Sequence, residues 1–121
     1  MSWKPYDGSE YLDFAAVENF CRNLAAQHPE WVTLEEIGRS HHDRPLLLLT
    51  LSRTDGDVSR RPGFWLDGGT HAAEFTGVMA AIYAVSRWVS QLAEGLLVHV
   101  PAGLVLASLG QFHRQLLERV V

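Results

Sequence analysis

A histidine and a glutamate three positions apart, His71 and Glu74, follow a glycine pair in the stretch GGTHAAEFTG, which covers residues 68–77. An imidazole nitrogen and a carboxylate oxygen are both ligands that zinc accepts, at about 2.0 to 2.2 Å. On the first turn of a helix, this spacing brings the two side chains to one side, where both reach a single ion. A catalytic zinc typically keeps about three protein ligands, so the pair supplies two and a third is needed.

Helix chemistry alone offers a second explanation for the same two residues. A glutamate in the first turn is stabilised by the positive end of the helix macrodipole by about 0.3 to 1 kcal/mol. Thr70 is a residue type that caps helix N-termini. Spacing by itself therefore leaves two interpretations open: half of a metal site, or the beginning of a helix.

The elements before this stretch follow from the spacing of apolar residues. Helical spacing predicts a helix over residues 12–27, ended by His28 and Pro29. The runs WVTLEEIG and PLLLLTLS predict two strands joined as a hairpin through RSHHDR. The polar segment at residues 53–63 predicts a surface loop.

GGTHAAEFTG itself reads as a turn from a buried strand, FWLD, into a helix from about Ala72 to Leu92 that is capped by Gly95. LLVHV predicts another buried strand, and helical spacing from about Leu104 predicts a closing helix. Strands separated by helices favour an α/β sheet with helices on its faces, and such sheets bind ligands at the carboxyl ends of their strands. The apolar face expected for the long helix comprises Phe75, Val78, Met79, Ile82, Val85, Trp88 and Val89.

Composition limits the classes of protein and partner. A chain of 121 residues with 47% hydrophobic content is expected to form one domain, residues 1–121. Ten scattered basic against fourteen acidic residues, a net charge of −4, argue against nucleic acid. The apolar stretch at residues 96–109 is broken by Pro101 and Gly103 and is shorter than the roughly 20 residues that span a bilayer, so no membrane partner is expected. The absence of a visible secretory signal favours a cytoplasmic location.

The cysteine and several aromatic residues are expected to pack in the core and not to take part in catalysis or substrate binding. Cys21 lies among the apolar positions of the first helix, which predicts a buried thiol and not a nucleophile. Phe64, Trp65 and Trp88 are expected to pack in the core and not to contact a substrate.

GFWLDGGTHAAEFTG resembles the zinc-binding segment of the metallocarboxypeptidases related to carboxypeptidase A, in which a buried strand and a glycine precede a His-x-x-Glu that opens a helix. Upstream, AAQHPEWVTLEEIGRSHHDRPLLLLTLS is similar to the end of that family's first helix and to its hairpin, where an IG.S..GRPL turn joins two strands. The family-like part is residues 11–95, and residues 96–121 are a divergent strand and helix. The resemblance implies a mixed β-sheet flanked by helices, a truncated version of the zinc carboxypeptidase fold.

Carried over residue by residue, the resemblance implies that His71 and Glu74 are the first two ligands of a Zn²⁺ cofactor, and that the substrate is the C-terminus of a peptide or protein. Ala73 stands where many members have a substrate-binding arginine, and Asp43 replaces the usual glycine of the hairpin turn. The family places its third ligand, a histidine, and its general-base glutamate well beyond Val121, the last residue of this sequence. We therefore expect an incomplete active site.

A local third ligand would have to come from the remaining histidines. His99, within LLVHV, is the best candidate, although a hydrogen-bonded strand histidine is the favoured interpretation. His41 and His42 adjoin each other in the hairpin turn and are not expected to chelate jointly. His113 belongs to the predicted closing helix and is not expected to bind metal.

Three functions stay open at this point. The first is a metallocarboxypeptidase-like protein that binds zinc but hydrolyses little or nothing. The second is a non-enzymatic remnant that associates with another chain, for example as a homo-oligomer, through an exposed sheet edge and apolar face. The third is an amidohydrolase of the aspartoacylase or succinylglutamate desuccinylase type, whose zinc segment also looks like GGTHGNE. The upstream hairpin favours the carboxypeptidase over the amidohydrolase.

Overall fold

The computed structural model describes residues 3–53, 63–71, 73–95 and 103–108. Two helices and four strands lie within these ranges. In chain order they are α1 (Phe14–Gln27), β1 (Val32–Arg39), β2 (Pro45–Leu51), β3 (Gly63–Gly68), α2 (Phe75–Ala93) and β4 (Gly103–Ser108). Of the described helices, neither has the length and apolarity needed to cross a membrane.

The four strands form one mixed sheet in the order β1-β2-β4-β3. β1 and β2 pair as an antiparallel hairpin, β2 pairs antiparallel with β4, and β4 pairs parallel with β3. This confirms the expected mixed sheet with flanking helices. Gly68 is paired with Ser108, and Leu48 with Ala107. The carboxyl ends of β3 and β4 therefore lie at the same end of the sheet as the hairpin turn.

Both helices contribute to one hydrophobic core with alternate residues of β2. Leu47, Leu49 and Leu51 are at most 2% exposed and belong to this core. Leu46 and Leu48, which alternate with them, are also buried, so β2 is covered on both faces. Two-sided burial explains why PLLLLTL is a continuous apolar run. The helices supply Val17, Phe20, Cys21, Leu24, Val78, Met79, Ala81, Ile82, Val85 and Val89.

α1 begins and ends for reasons visible in its sequence. The side chain of Asp13 accepts a hydrogen bond from the backbone N–H of Ala16 at 2.8 Å and so caps the first turn. At the other end, the N–H of His28 donates to the carbonyl of Leu24 before Pro29 stops the helix. The predicted helix over residues 12–27 is therefore confirmed, with its start two residues later.

The beginning of α2 differs from the prediction. The helix starts at Phe75 and not near Ala72, because Glu74 has non-helical dihedral angles, φ −95° and ψ 69°. Glu74 occupies the N-cap position without a capping side-chain hydrogen bond, so the alternative interpretation in which Thr70 caps this helix is wrong. At the far end, Gly95 follows the helix with φ +71°, which confirms the predicted glycine stop.

The predicted closing helix from Leu104 is wrong over residues 103–108, which form β4. The run GLVLAS is uniformly apolar up to its last residue, and such a run suits a central strand buried on both faces as well as a buried helix. The segment forms a strand because it pairs with β2 on one side and with β3 on the other. The predicted strand LLVHV and the rest of the predicted helix lie outside the described residues.

Cys21 confirms the expected core thiol. Its residue is 1% exposed within the hydrophobic core of the two helices. Burial raises the pKa of the Cys21 thiol to about 12, because the charged thiolate would lose its hydration there. A thiol that stays protonated at neutral pH is a poor nucleophile.

Candidate metal centre

The end of β3 touches the first turn of α2 through backbone atoms. A β-carbon on Gly68 would lie 2.4 Å from the carbonyl carbon and oxygen of Gly77 and 2.7 Å from the amide nitrogen of Val78. These distances leave room for no side chain at Gly68. The next residue, Gly69, has φ +77°, a conformation that favours glycine. The glycine pair thus allows the backbone of α2 to lie in direct contact with the end of β3.

His71 and Glu74 lie in this turn, just beyond β3 and before α2. The N–H of Glu74 donates to the carbonyl of His71 at 3.0 Å, which closes the turn. The Nδ1 atom of His71 and the Oε2 atom of Glu74 are 3.1 Å apart. The two side chains therefore face each other, as predicted. They are brought together by a turn and not, as predicted, by the face of a helix.

The geometry of this pair fits two ligands of one zinc ion. Two ligands at about 2.1 Å in a tetrahedral site lie about 3.4 Å from each other, close to the observed separation. Imidazole nitrogen and carboxylate oxygen are both common zinc donors. The two side chains are 77% and 66% exposed, so an ion has free access to them. Because both side chains are exposed, their contact contributes little to stability.

A third ligand does not lie beside this pair in the part of the chain that the structure describes. No three histidine, cysteine, aspartate or glutamate side chains among these residues are grouped to hold a metal. The rings of His41 and His42 lie 5.5 Å apart in the hairpin turn and belong to no such group. His99 and His113 lie outside the described residues.

The two departures from the family pattern have different structural consequences. Asp43, where a glycine is usual, has φ +59°, in the left-handed region that favours glycine. Arg39 donates from Nη1 to the carbonyl of Asp43 at 2.9 Å and lies 3.4 Å from its carboxylate. Ala73 is exposed between the two candidate ligands and offers no side-chain hydrogen-bond donor.

Two of the aromatic residues expected in the core are exposed instead. Phe64 is 54% and Phe75 is 57% exposed. Phe75 is the first residue of α2, so it precedes the buried face, which begins at Val78. Trp65 is half-buried, and its indole N–H donates to Oδ2 of Asp67 at 2.6 Å. Trp88 packs against the core, as expected.

The hairpin turn lies close to the candidate site, which the sequence did not predict. His42 and Arg44 of the hairpin turn line one groove with Gly69, although Gly69 comes at least 25 positions later in the sequence. Only the insertion of β4 between β2 and β3 fixes this arrangement. The signal that could have revealed it is the apolar run GLVLAS, read as a central strand.

Comparisons with known proteins agree with the resemblance. The sequence model of the zinc carboxypeptidase family matches residues 17–97. The chain is 32% identical over 83 residues to zinc carboxypeptidase A 1 of Anopheles gambiae, covering 69% of this chain and 18% of that protein. It is 36% identical over 84 residues to carboxypeptidase A1 of Bos taurus, covering 66% and 19%. Against carboxypeptidase B of Astacus astacus, the identity is 31% over 87 residues, covering 72% and 28%.

Solved structures show the same fold. The thrombin activatable fibrinolysis inhibitor superimposes with a TM-score of 0.72 at 18% identity, over 86% of this chain and 26% of that one. Carboxypeptidase A from Helicoverpa armigera superimposes with a TM-score of 0.69 at 22% identity, over 85% and 24%. The chain thus spans less than a third of the length of the relatives it matches.

Proposed function

Because the chain belongs to the zinc carboxypeptidase family, we propose that His71 and Glu74 hold Zn²⁺ for the hydrolysis of C-terminal peptide bonds. One observation carries the proposal: Nδ1 of His71 and Oε2 of Glu74 are 3.1 Å apart in the turn that follows β3. The family match over residues 17–97 includes this turn and supports a peptidase over an aspartoacylase-type amidohydrolase.

The two ligands have distinct chemical tasks. Neutral His71 donates a nitrogen lone pair, and the carboxylate of Glu74 offsets part of the metal charge. The closed turn between them holds both groups on one side before the metal arrives, which lowers the entropy lost on binding. Zinc held by these two residues would supply Lewis-acid chemistry, namely polarisation of a scissile carbonyl and a lowered pKa of a bound water.

Hydrolysis needs more than these two residues. A general base must take a proton from the attacking water and pass it to the leaving amine. A third protein ligand is also typical of catalytic zinc. Among the residues that the structure describes, no group of side chains supplies the third ligand. We therefore propose that this chain by itself has an incomplete active site, binds zinc weakly and hydrolyses peptides little or not at all.

Isothermal titration with ZnCl₂ tests the metal site. We expect weak one-to-one binding to the chain, reduced by about tenfold or more in His71→Ala and in Glu74→Gln, because each removes one of two ligands. His41→Ala is the matched control, because it removes an exposed histidine that belongs to no ligand group. Equal heats for the chain and for His71→Ala would contradict the metal site.

A peptidase assay tests the incomplete active site separately. Hippuryl-phenylalanine is incubated with the zinc-loaded chain, and release of phenylalanine is followed. We expect no turnover above that of zinc alone. Turnover that disappears in His71→Ala would show a complete active site and would overturn this part of the proposal.

A further inference from the structure

A groove of about 330 Å³ lies between the β1–β2 hairpin turn, the beginning of α1 and the beginning of α2. Gly69 and Phe75 line it, and these two residues flank the turn that carries His71 and Glu74. The pairing of Gly68 with Ser108 places this turn at the same sheet edge as the hairpin turn. Residues on both sides of the ligand turn therefore line the groove.

The floor of the groove is apolar and ordered by packing. Leu46 and Val78 are each 8% exposed, and Met79 is 7% exposed. Phe75, at 57% exposure, is a large apolar side chain that still faces solvent at the groove. Covering it with an apolar group of a ligand removes apolar surface from water, which favours binding.

Arg44 brings a positive charge to the rim of the groove, which Asp13 lines as well. The guanidinium carbon of Arg44 lies 5.0 Å from the centroid of the Phe14 ring, which holds the side chain by a cation–π contact. Among the residues that the structure describes, no carboxylate forms an ion pair with Arg44. The carboxylate of Asp13 also lines the groove, where its Oδ1 accepts the capping hydrogen bond from the N–H of Ala16, so any preference for an acidic ligand depends on Arg44 alone.

We propose that this groove binds an acidic side chain and its apolar neighbour in a peptide substrate, upstream of the C-terminal bond. The carboxylate would pair with Arg44, and the apolar side chain would cover Phe75. This substrate preference rests on the proposed function, because the groove selects substrates only if the neighbouring ligand turn serves hydrolysis, whereas the contacts with Arg44 and Phe75 themselves need no metal.

The test compares two fluorescein-labelled peptides, Ala-Gly-Glu-Leu-Ala-Phe and Ala-Gly-Lys-Leu-Ala-Phe, by fluorescence anisotropy at low salt in the presence of EDTA. We expect the glutamate peptide to bind about fivefold more tightly, the size of one exposed charge pair. The net charge of −4 on the chain alone favours the lysine peptide. A preference for glutamate therefore reports the local charge of Arg44.

Three variants assign the preference to the groove. Arg44→Gln is expected to abolish it, and Arg44→Lys to retain it. Arg39→Gln is the matched control from the same hairpin, because Arg39 is paired with Glu36 at 3.0 Å. Circular dichroism checks that each variant is folded. Equal affinities for the two peptides, or a preference that survives Arg44→Gln, would overturn the groove as an acidic subsite.

Failure of the metal site is distinguishable from failure of the groove. The peptide measurement contains no free zinc, so His71→Ala is expected to keep the full preference for the glutamate peptide. A preserved preference together with a failed zinc titration contradicts the proposed function alone. A successful zinc titration without the preference contradicts the groove alone.

Discussion

Gly68 at the end of β3 and Gly77 in the first turns of α2 are in backbone contact, so close that a β-carbon on Gly68 would lie 2.4 Å from the carbonyl of Gly77. The contact is one-sided: a β-carbon on Gly77 would lie 3.6 Å from Cα of Gly68, an ordinary van der Waals distance. Only Gly68 is therefore sterically required. The residues between these two glycines include both proposed zinc ligands.

Gly68→Ala is expected to push α2 away from β3, because its new methyl group meets backbone atoms that cannot rotate aside. Overpacking of this kind costs about 1 to 3 kcal/mol of stability. The turn that carries His71 and Glu74 would shift with the helix, so the zinc affinity should fall too. Urea denaturation and zinc titration measure the two effects.

Gly77→Ala provides the control for this prediction, because its methyl group has room and alanine favours the helix by about 0.5 to 1 kcal/mol over glycine. We expect Gly77→Ala to be neutral or stabilising with unchanged zinc affinity. A Gly68→Ala variant as stable as Gly77→Ala would refute the backbone contact.

Asp43 should carry backbone strain in the hairpin turn, because its φ of +59° lies in the left-handed region. Asp43→Gly relieves the strain and is expected to stabilise the chain by about 0.5 kcal/mol, whereas Asp43→Val should destabilise it by about 1 to 2 kcal/mol. Asp43→Asn separates out the ion pair with Arg39, which is exposed and worth less than about 1 kcal/mol. Thermal unfolding of the three variants gives the order, and an unaffected Asp43→Val would contradict the strained turn.

Cys21 should make the stability of the chain fall at alkaline pH. Burial raises the pKa of its thiol to about 12, whereas in the unfolded chain the thiol ionises at its ordinary pKa of about 8.5. The unfolded state therefore loses this proton first as the pH rises, and the stabilisation present below pH 8 is lost progressively. The loss from this one group between pH 8 and pH 10 is about 2 kcal/mol.

Urea denaturation of the chain and of Cys21→Ala at each pH isolates this contribution, because the lysines and tyrosines that titrate in the same range are common to both. We expect the stability of Cys21→Ala to depend less on pH, although its value at pH 7 is lowered by the small cavity. Parallel pH curves for the two proteins would contradict a buried, protonated thiol.

The sequence predicted the elements whose signals are local. The helical spacing before Pro29, the alternation in WVTLEEIG and the glycine at 95 each act within one element, and the structure confirms α1, the β1–β2 hairpin and the end of α2. The predictions that failed depend on neighbours distant in sequence. The apolar run GLVLAS is compatible with a helix or a strand, and only its pairing with β2 and β3 shows that it is a strand.

The candidate site divides in the same way. Residue type and spacing identify His71 and Glu74 as a pair, because two zinc donors three positions apart can meet in a helix or in a turn. The non-helical dihedral angles of Glu74 show that the pair meets in a turn. The helix α2 begins only after this turn, at Phe75, where the backbone contact between Gly68 and Gly77 holds its first residues against the end of β3. The exposed position of Phe75 follows from that same start.

What the sequence determined by itself is the order of local elements, the ligand pair and the family resemblance, because each is encoded within a short stretch of chain. What only the tertiary structure decided is the central place of β4, and with it the meeting of the hairpin turn and the ligand turn at one sheet edge. Strand order is set by hydrogen bonds and burial between residues far apart in the chain. The apolar pattern of one strand does not show which other strand pairs with it.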